Sequence, residues 1–569
     1  MFKKILSSAL CLFMLLSTSI SVFASGTQIT NINKGETIIS YGMDQGFVVI
    51  IPADFEIDSS NKAEAEVIAM NVMIADGTSL KVYVSGDDYN GRWELVDEAE
   101  SANTLGYIIG SEEDGNDILN NGVVLSVNAG EAYDSTVIEK MYFKVVDTIT
   151  KAGNYNDTLT FTLEIDDGIY SPAELERRYE FSYYSSLQTA VDNGTKDANK
   201  EDAVAGVYID EFGTRNVVLM RDETLTETLS IDKYLVLNLG GHTLSKMDGT
   251  VIEVNSNAII DGKVSGSKVL IEGSTGTEVT GIYFKSGDAE IRGGEYVSIS
   301  DGAGTTKALT GTIHVADGAT LDIHDAVIRA SDDVGNASAA VCVDEGGELK
   351  AYNSSLLSES KNGYNVAGIA NYGSIEMTDC SIIAHSDYLG NDAGTDYGKF
   401  SRGVYSYGSV TLNNCYVYGN HSGVGVINAP LTINGGRYEG YGHGGVYSNS
   451  GAGNITYIAD AELIGLIYMP EGYEADEIVG NNYAGIYLGG TDTVTYMDNC
   501  YVYGAMQPIV LRDTREILYV SNTTTNTDYS KYPVRISNSS TLYIGEGNNF
   551  TKNQTSRPAG AIETGENYR

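Results

Sequence analysis

The sequence holds 569 residues with 35 basic against 77 acidic side chains, a formal charge of −42. That balance disfavours nucleic acid and acidic polymers as partners, because the summed field repels a polyanion. With 42% hydrophobic and 20% charged residues the chain has ample material for a packed core, which excludes a disordered polyelectrolyte.

Met1, Phe2, Lys3 and Lys4 precede an apolar run from Ile5 to Leu16, and Val22, Phe23 and Ala24 follow. A basic start, a short apolar stretch and a small-x-small exit predict a signal peptide over residues 1–24, and so an exported protein, secreted or held at the cell surface. The run is too short for a membrane span, and no second long apolar run predicts a transmembrane segment. Loss of Lys3 and Lys4 takes the mature charge to about −44.

Residues 25–168 alternate apolar and polar positions between turn-formers, at 46–51, 79–85, 122–127, 141–146 and 158–165. In the last of these Leu159, Phe161, Leu163 and Ile165 share one face. Strands at irregular spacing without helix signals predict an antiparallel β-sandwich. Residues 169–206 read differently, as a linker and helical cap. Ser171 and Pro172 open one short helix, and residues 186–191 form a second that stops before Asn193 and Gly194. Such a plug would close the end of a solenoid, whose terminal strands would otherwise lie bare.

From 207 to 569 the texture is repetitive. Nine segments run apolar or Thr, polar, apolar, polar, then a small residue or Cys; the closing positions are Gly294, Ala326, Ser354, Cys380, Cys415, Gly436, Ala461, Cys500 and Thr523. Their separations of 32, 28, 26, 35, 21, 25, 39 and 23 residues make a loose repeat with loops of variable length. A unit this short cannot bury an apolar face alone, so it stacks on its neighbours, and its period-2 alternation makes the stacked elements strands. The fold class is therefore all-β, a sandwich followed by a right-handed parallel β-helix. Cys380, Cys415 and Cys500 occupy one repeat position and read as small buried residues in a column rather than as disulfide partners.

The opening coil contains Leu237, Asn238, Leu239, Gly240, Gly241, His242, Thr243 and Leu244. This run resembles the Leu-Asp-Leu-Asn-Gly-His-Thr-Ile coil that opens many pectin lyase-like right-handed β-helices, and the resemblance covers about residues 205–550. It implies an architecture shared by pectate lyases, polygalacturonases, tailspikes and adhesins, and leaves activity open.

A second repeat places Gly before an apolar residue at Gly368, Gly403, Gly423, Gly445 and Gly485. Stacking turns the next residue inward and the one after it outward, which predicts an external column of Ala370, Tyr405, Gly425, Tyr447 and Tyr487. Tyrosine is abundant, 40 against 12 Phe and 1 Trp, and a ring with a wet hydroxyl suits a contact surface. Tyr405, Tyr407, Tyr416, Tyr447, Tyr487 and Tyr501 are the expected platform for a polysaccharide or host glycan; plain sheet decoration is the competing reading.

For catalysis, the polygalacturonase pattern implied by the resemblance fails. Gly442, His443 and Gly444 are present, but Asn526, Thr527 and Asp528 follow them in the wrong order, and Arg535 and Ile536 lack their lysine. A lyase needs a base for the C5 proton and a partner for the substrate acid. Lys399, Arg402, His421, Arg437, His443 and Arg512 fall in consecutive coils, with Asp392, Asp396 and Asp460 as nearby acids. Arg402, Arg437, His443 and Asp460 are the expected catalytic set, Arg437 or His443 serving as base. Metal-ligand spacing of the His/Cys type is absent along the chain and no cofactor is expected. Acidic turns at Asp87 and Asp88 and at 112–117 suit at most weak surface Ca²⁺. The leading expectation is an adhesin-like glycan binder; the alternatives are a polysaccharide lyase or glycoside hydrolase, and a spacer rod. Oligomeric state is not legible.

Overall fold

A computed structural model describes the chain from residue 46 to residue 564, apart from loop segments of which the longest are 301–309, 387–400, 467–482 and 551–561. The expected signal peptide at 1–24, the acidic turn at Asp87 and Asp88, most of the turn at 112–117, and Asp392, Asp396 and Lys399 lie outside the described residues. Among the described residues no helix is long and apolar enough to cross a membrane. The chain divides into two units at Ile169 and Tyr170.

Among the described residues the first unit holds two antiparallel sheets of six and three strands. Alternation puts Val67, Ala69 and Val72 of the larger sheet and Leu80, Val82, Val84, Leu125 and Val127 of the smaller one in a common core with Trp93, Met141 and Phe143. This is the expected sandwich. Its longest strand, Lys62–Met73, is rich in Ala, Glu and Met, residues with weak strand preference, and its pairing with Thr136–Val145 comes from burial of one face. In the strand Leu159–Asp166, Leu159, Phe161 and Ile165 pack on the core while Leu163 stays 40% exposed.

The second unit is a parallel β-helix whose described residues form three long sheets of 15, 13 and 13 strands, called here the first, second and third faces. The helix Pro172–Arg178 opens with Glu174 accepting from both the backbone N–H and the hydroxyl of Ser171. The helix Leu187–Val191 buries Leu187, Ala190 and Val191 against Leu229 and Ile231, as a plug for the first coil. Gln188 completes the plug. Its amide accepts from Ser230 N at 2.9 Å and donates to Ser230 O at 3.1 Å, so a side chain pairs the terminal strand of the third face where a neighbouring strand would. The first face begins with three antiparallel strands, Ser182–Tyr184, Ala205–Ile209 and Arg215–Leu219, before parallel pairing starts at Val236–Asn238.

Inside, Ile260, Ile291, Ile323, Ala351, Met377, Leu412, Ile433, Ile458, Met497 and Val520 form one continuous buried row under the first face. Cys342, Cys380, Cys415 and Cys500 are all free and buried. The turn before each closing small residue takes positive φ at Asp325, Asn353, Asp379, Asn414, Asp460, Asn499 and Asn522, a conformation that Asn and Asp tolerate better than other side chains. Neighbouring turns are linked across coils, Asn353 Nδ2 to Asp325 at 2.6 Å, Asn414 Nδ2 to Asp379 at 2.6 Å and Asn499 Nδ2 to Asp460 at 2.6 Å.

Candidate functional site

The repeated Gly-apolar strands form the third face, and their register is as the alternation predicts. Val404, Val424, Val446 and Ile486 pair in an inward row, all fully buried, while Ala370, Tyr405, Gly425, Tyr447 and Tyr487 pair in the adjacent outward row. Gly425 interrupts that row of rings. The side chain of Arg402, from the preceding coil, fills the notch: its Cδ lies 2.7 Å from where a Gly425 Cβ would stand, and its guanidinium sits 4.6 Å from the Tyr405 ring centroid. Burial lowers the Arg402 pKa, and nearby tyrosines act against that fall.

Three side chains converge beside this notch. His443 stacks on Tyr447 at 4.7 Å and on Tyr487 at 5.0 Å, and meets His421 edge-on at 4.4 Å. Arg512 donates to the Tyr487 hydroxyl at 2.6 Å. Burial first, then the positive charges of Arg402 and Arg512, pushes the His443 pKa down to about 4, so its imidazole is neutral at pH 7. Its buried Nδ1 has no hydrogen-bond partner. Tyr487 faces outward in register yet is covered, at 1% exposure, so it contributes its hydroxyl rather than a bare ring. Asp513 follows Arg512 and accepts from Gly490 N at 2.9 Å. Glu516 then anchors the loop from inside: its carboxylate accepts from Asp513 N at 3.2 Å and its own N–H donates to Ser540 Oγ at 3.2 Å. Burial pushes the Glu516 pKa up to about 8.

Of the expected platform, Tyr405 and Tyr407 are joined through their hydroxyls at 2.7 Å, and Tyr407 stacks parallel to Tyr372 at 5.7 Å. Together with Tyr447 they give the third face a half-exposed aromatic surface beside the cations. Tyr416 and Tyr501 do not belong to it. They lie in the outward row of the second face, Tyr416, Arg437, Glu462 and Tyr501, where the Tyr416 hydroxyl donates to Glu439 at 3.1 Å.

The expected catalytic set is split in the same way. Arg402 and His443 come together on the third face, joined by His421 and Arg512. Arg437 is on the second face, ion-paired with Glu439 and, at 2.9 Å, with Glu462, and these carboxylates hold it protonated. It is not a base for this site. Asp460 is one of the positive-φ turn residues, bonded to Asn499, and belongs to the ladder that spaces the coils.

Two features escaped the sequence reading. Tyr457, Tyr496, Tyr519 and Tyr543 pair in one outward row of the first face, their rings stacked at 5.2, 4.9 and 4.7 Å and between 37% and 49% exposed. The signal was present, since the first three occupy the same position in three of the nine aligned segments. The second is a cluster of donor atoms: those of His314, Cys342 and Asp344 all lie within 4.8 Å of one another. His314 and Cys342 pair across coils, 28 residues apart, so no spacing along the chain announces them.

No family model matches the sequence, and no curated protein matches it significantly. Among solved structures, similarity is found to the catalytic unit of a thermostable GH87 alpha-1,3-glucanase from Streptomyces thermodiastaticus strain HF3-3, at 12% identity over 91% of this chain and 97% of that one, with a TM-score of 0.23. The catalytic domain of a GH87 alpha-1,3-glucanase in complex with nigerose is similar at 12% identity over 89% and 97%, TM-score 0.21. A variant of such a domain in complex with tetrasaccharides gives 10% identity over 89% and 99%, TM-score 0.20. Superpositions this loose carry no inference about a site or a reaction.

Proposed function

We propose that this is an exported carbohydrate-active protein whose third face takes an extended, uronate-bearing glycan and cleaves it by β-elimination. The observation that supports this reading is a neutral His443 stacked on Tyr447 and Tyr487 and flanked by Arg402 and Arg512. In elimination, His443 accepts the proton from C5, the C5–H electron pair becomes the C4–C5 double bond, and the C4–O bond breaks. The leaving oxygen takes a proton from a tyrosine hydroxyl, for which the half-exposed Tyr447 stands beside the imidazole. Arg512 and Arg402 balance the charge that develops on the uronate carboxylate. Hydrolysis would instead require two carboxylates flanking one bond. Among the described residues the acid at this cluster is Asp513, beside Tyr487 and Arg512, while Asp460 serves a turn.

The net charge of −42 opposes a polyanionic substrate at long range, so two guanidiniums act as a local anchor in a repelling field. Turnover should therefore rise with moderate salt before screening weakens the anchor itself. Incubation with a panel of uronate polymers, followed by ultraviolet absorbance of the unsaturated product, tests the reading. Product from the native protein and none from His443→Gln is expected. Retained binding without product on any polymer would overturn elimination and leave the adhesin-like reading, which the aromatic surface of Tyr372, Tyr405, Tyr407 and Tyr447 equally supports.

A further inference from the structure

His314, Cys342 and Asp344 lie on the third face, two coils before the aromatic cluster. His314 and Cys342 are successive members of the outward row that continues through Ala370 to Tyr405, and Asp344 directly follows the Cys342 strand, Ala337–Val343, its N–H bonded to Val315 O of the previous coil. Strand register fixes His314 and Cys342, and the inter-coil backbone bond holds Asp344 beside them. We propose that they form a divalent transition-metal site, with Zn²⁺ as the ion that suits one imidazole, one thiolate and one carboxylate.

Four observations support this. The donor atoms lie within 4.8 Å of one another, and roughly 3.5 Å is the separation of ligands around a tetrahedral Zn²⁺, so side-chain adjustment of about an ångström closes the set. His314 Nε2 is buried and only 3.1 Å from Asp344 Oδ1, yet it makes no hydrogen bond, because the two groups are off the donor line. The imidazole is held by stacking on Tyr283 at 4.6 Å, with Nε2 within 3.1 Å of Asp344. Asp344 is 41% exposed and His314 23%, so an ion has a path in while Cys342 is shielded. Binding would displace the thiol proton to solvent, the ion supplying the positive charge that the thiolate needs. Three protein ligands leave a fourth position for water or a substrate oxygen, roughly 10 Å from Tyr405 along the coil stack.

The test uses the full-length protein stripped with a chelator and titrated with Co²⁺, which reports thiolate ligation as a charge-transfer band, then with Zn²⁺ as competitor. One equivalent of Co²⁺ should raise the band, Zn²⁺ should abolish it, and Cys342→Ser should lack it while Cys415→Ser keeps it. His314→Ala and Asp344→Ala should each weaken Co²⁺ binding about tenfold or more. No band in the native protein, or a band that survives Cys342→Ser, overturns the site. A melting curve of each stripped variant shows that a lost band is not lost folding.

Discussion

Arg402 occupies the space that Gly425 leaves between two rings of the outward row, with its Cδ 2.7 Å from a Cβ built at Gly425 and its guanidinium over Tyr405. A methyl group at Gly425 therefore cannot coexist with Arg402 in this position. Gly425→Ala should drive the guanidinium off Tyr405 while the inward Val424 and Val426 remain packed. Affinity for an anionic oligosaccharide should fall about tenfold, the equivalent of roughly 1.4 kcal/mol, with little change in melting temperature. Equal loss for a neutral oligosaccharide of the same length would show that Arg402 does not select charge.

The neutral His443 has a consequence for pH. Its folded pKa of about 4 lies below the ordinary 6.5, so between those values the unfolded chain binds a proton that the folded one refuses. Stability from this group is thus present above about pH 6.5 and lost as pH falls toward 4, by on the order of 2–3 kcal/mol. Denaturant melts of the native protein and His443→Gln across pH 4 to 7, a range chosen about the histidine pKa, should diverge in that direction. If elimination is the reaction, the acid limb of kcat/KM should fall near the same low value rather than near that of free imidazole. A limb near 6.5 would remove His443 as the free-enzyme base.

Glu516 works in the opposite sense. Its folded pKa is raised from 4.5 to about 8, so the folded state keeps a proton that the unfolded state has released. The contribution is complete below 4.5 and is lost as pH rises through 8. Glu516→Gln retains an acceptor for Asp513 N without the charge. It should raise stability at pH 8 by on the order of 3–5 kcal/mol relative to its effect at pH 4.5. Because Glu516 anchors the loop that carries Arg512, turnover in Glu516→Gln should persist to higher pH than in the native protein. An identical stability difference at both pH values would mean that the carboxyl is not protonated in the fold.

What was legible in the sequence follows from period. Alternation around Gly403, Gly423, Gly445 and Gly485 yields the outward row of Tyr405, Gly425, Tyr447 and Tyr487 because one inward valine or isoleucine fixes the parity of each strand. The same parity places Tyr457, Tyr496 and Tyr519 outward, each one residue before a buried Ile458, Met497 or Val520. Arg437 illustrates what period cannot supply. Glu439, two residues on in the same strand, shares its face by period, but Glu462, 25 residues away, becomes a partner only through the register of the second face. His314, Cys342 and Asp344 met the same obstacle, because loops of unequal length hide which residues of successive coils coincide.

Asp460 separates a structural role from a chemical one. Its backbone has φ of 55°, and its carboxylate accepts from Asn499 Nδ2 at 2.6 Å across one coil. Asparagine tolerates the same backbone and offers the same acceptor oxygen, whereas alanine at positive φ costs roughly 1–2 kcal/mol and loses the inter-coil bond. Asp460→Asn should therefore leave the melting temperature close to native, and Asp460→Ala should lower stability by about 2 kcal/mol. If elimination is the reaction, both should turn over substrate at the native rate under conditions where they are folded, because the side chain sits in a turn of the ladder while His443 and Arg512, the proposed base and anchor, lie beside the third face. A large fall in kcat for Asp460→Asn with unchanged melting would return this carboxylate to the chemistry, and with it a hydrolytic mechanism.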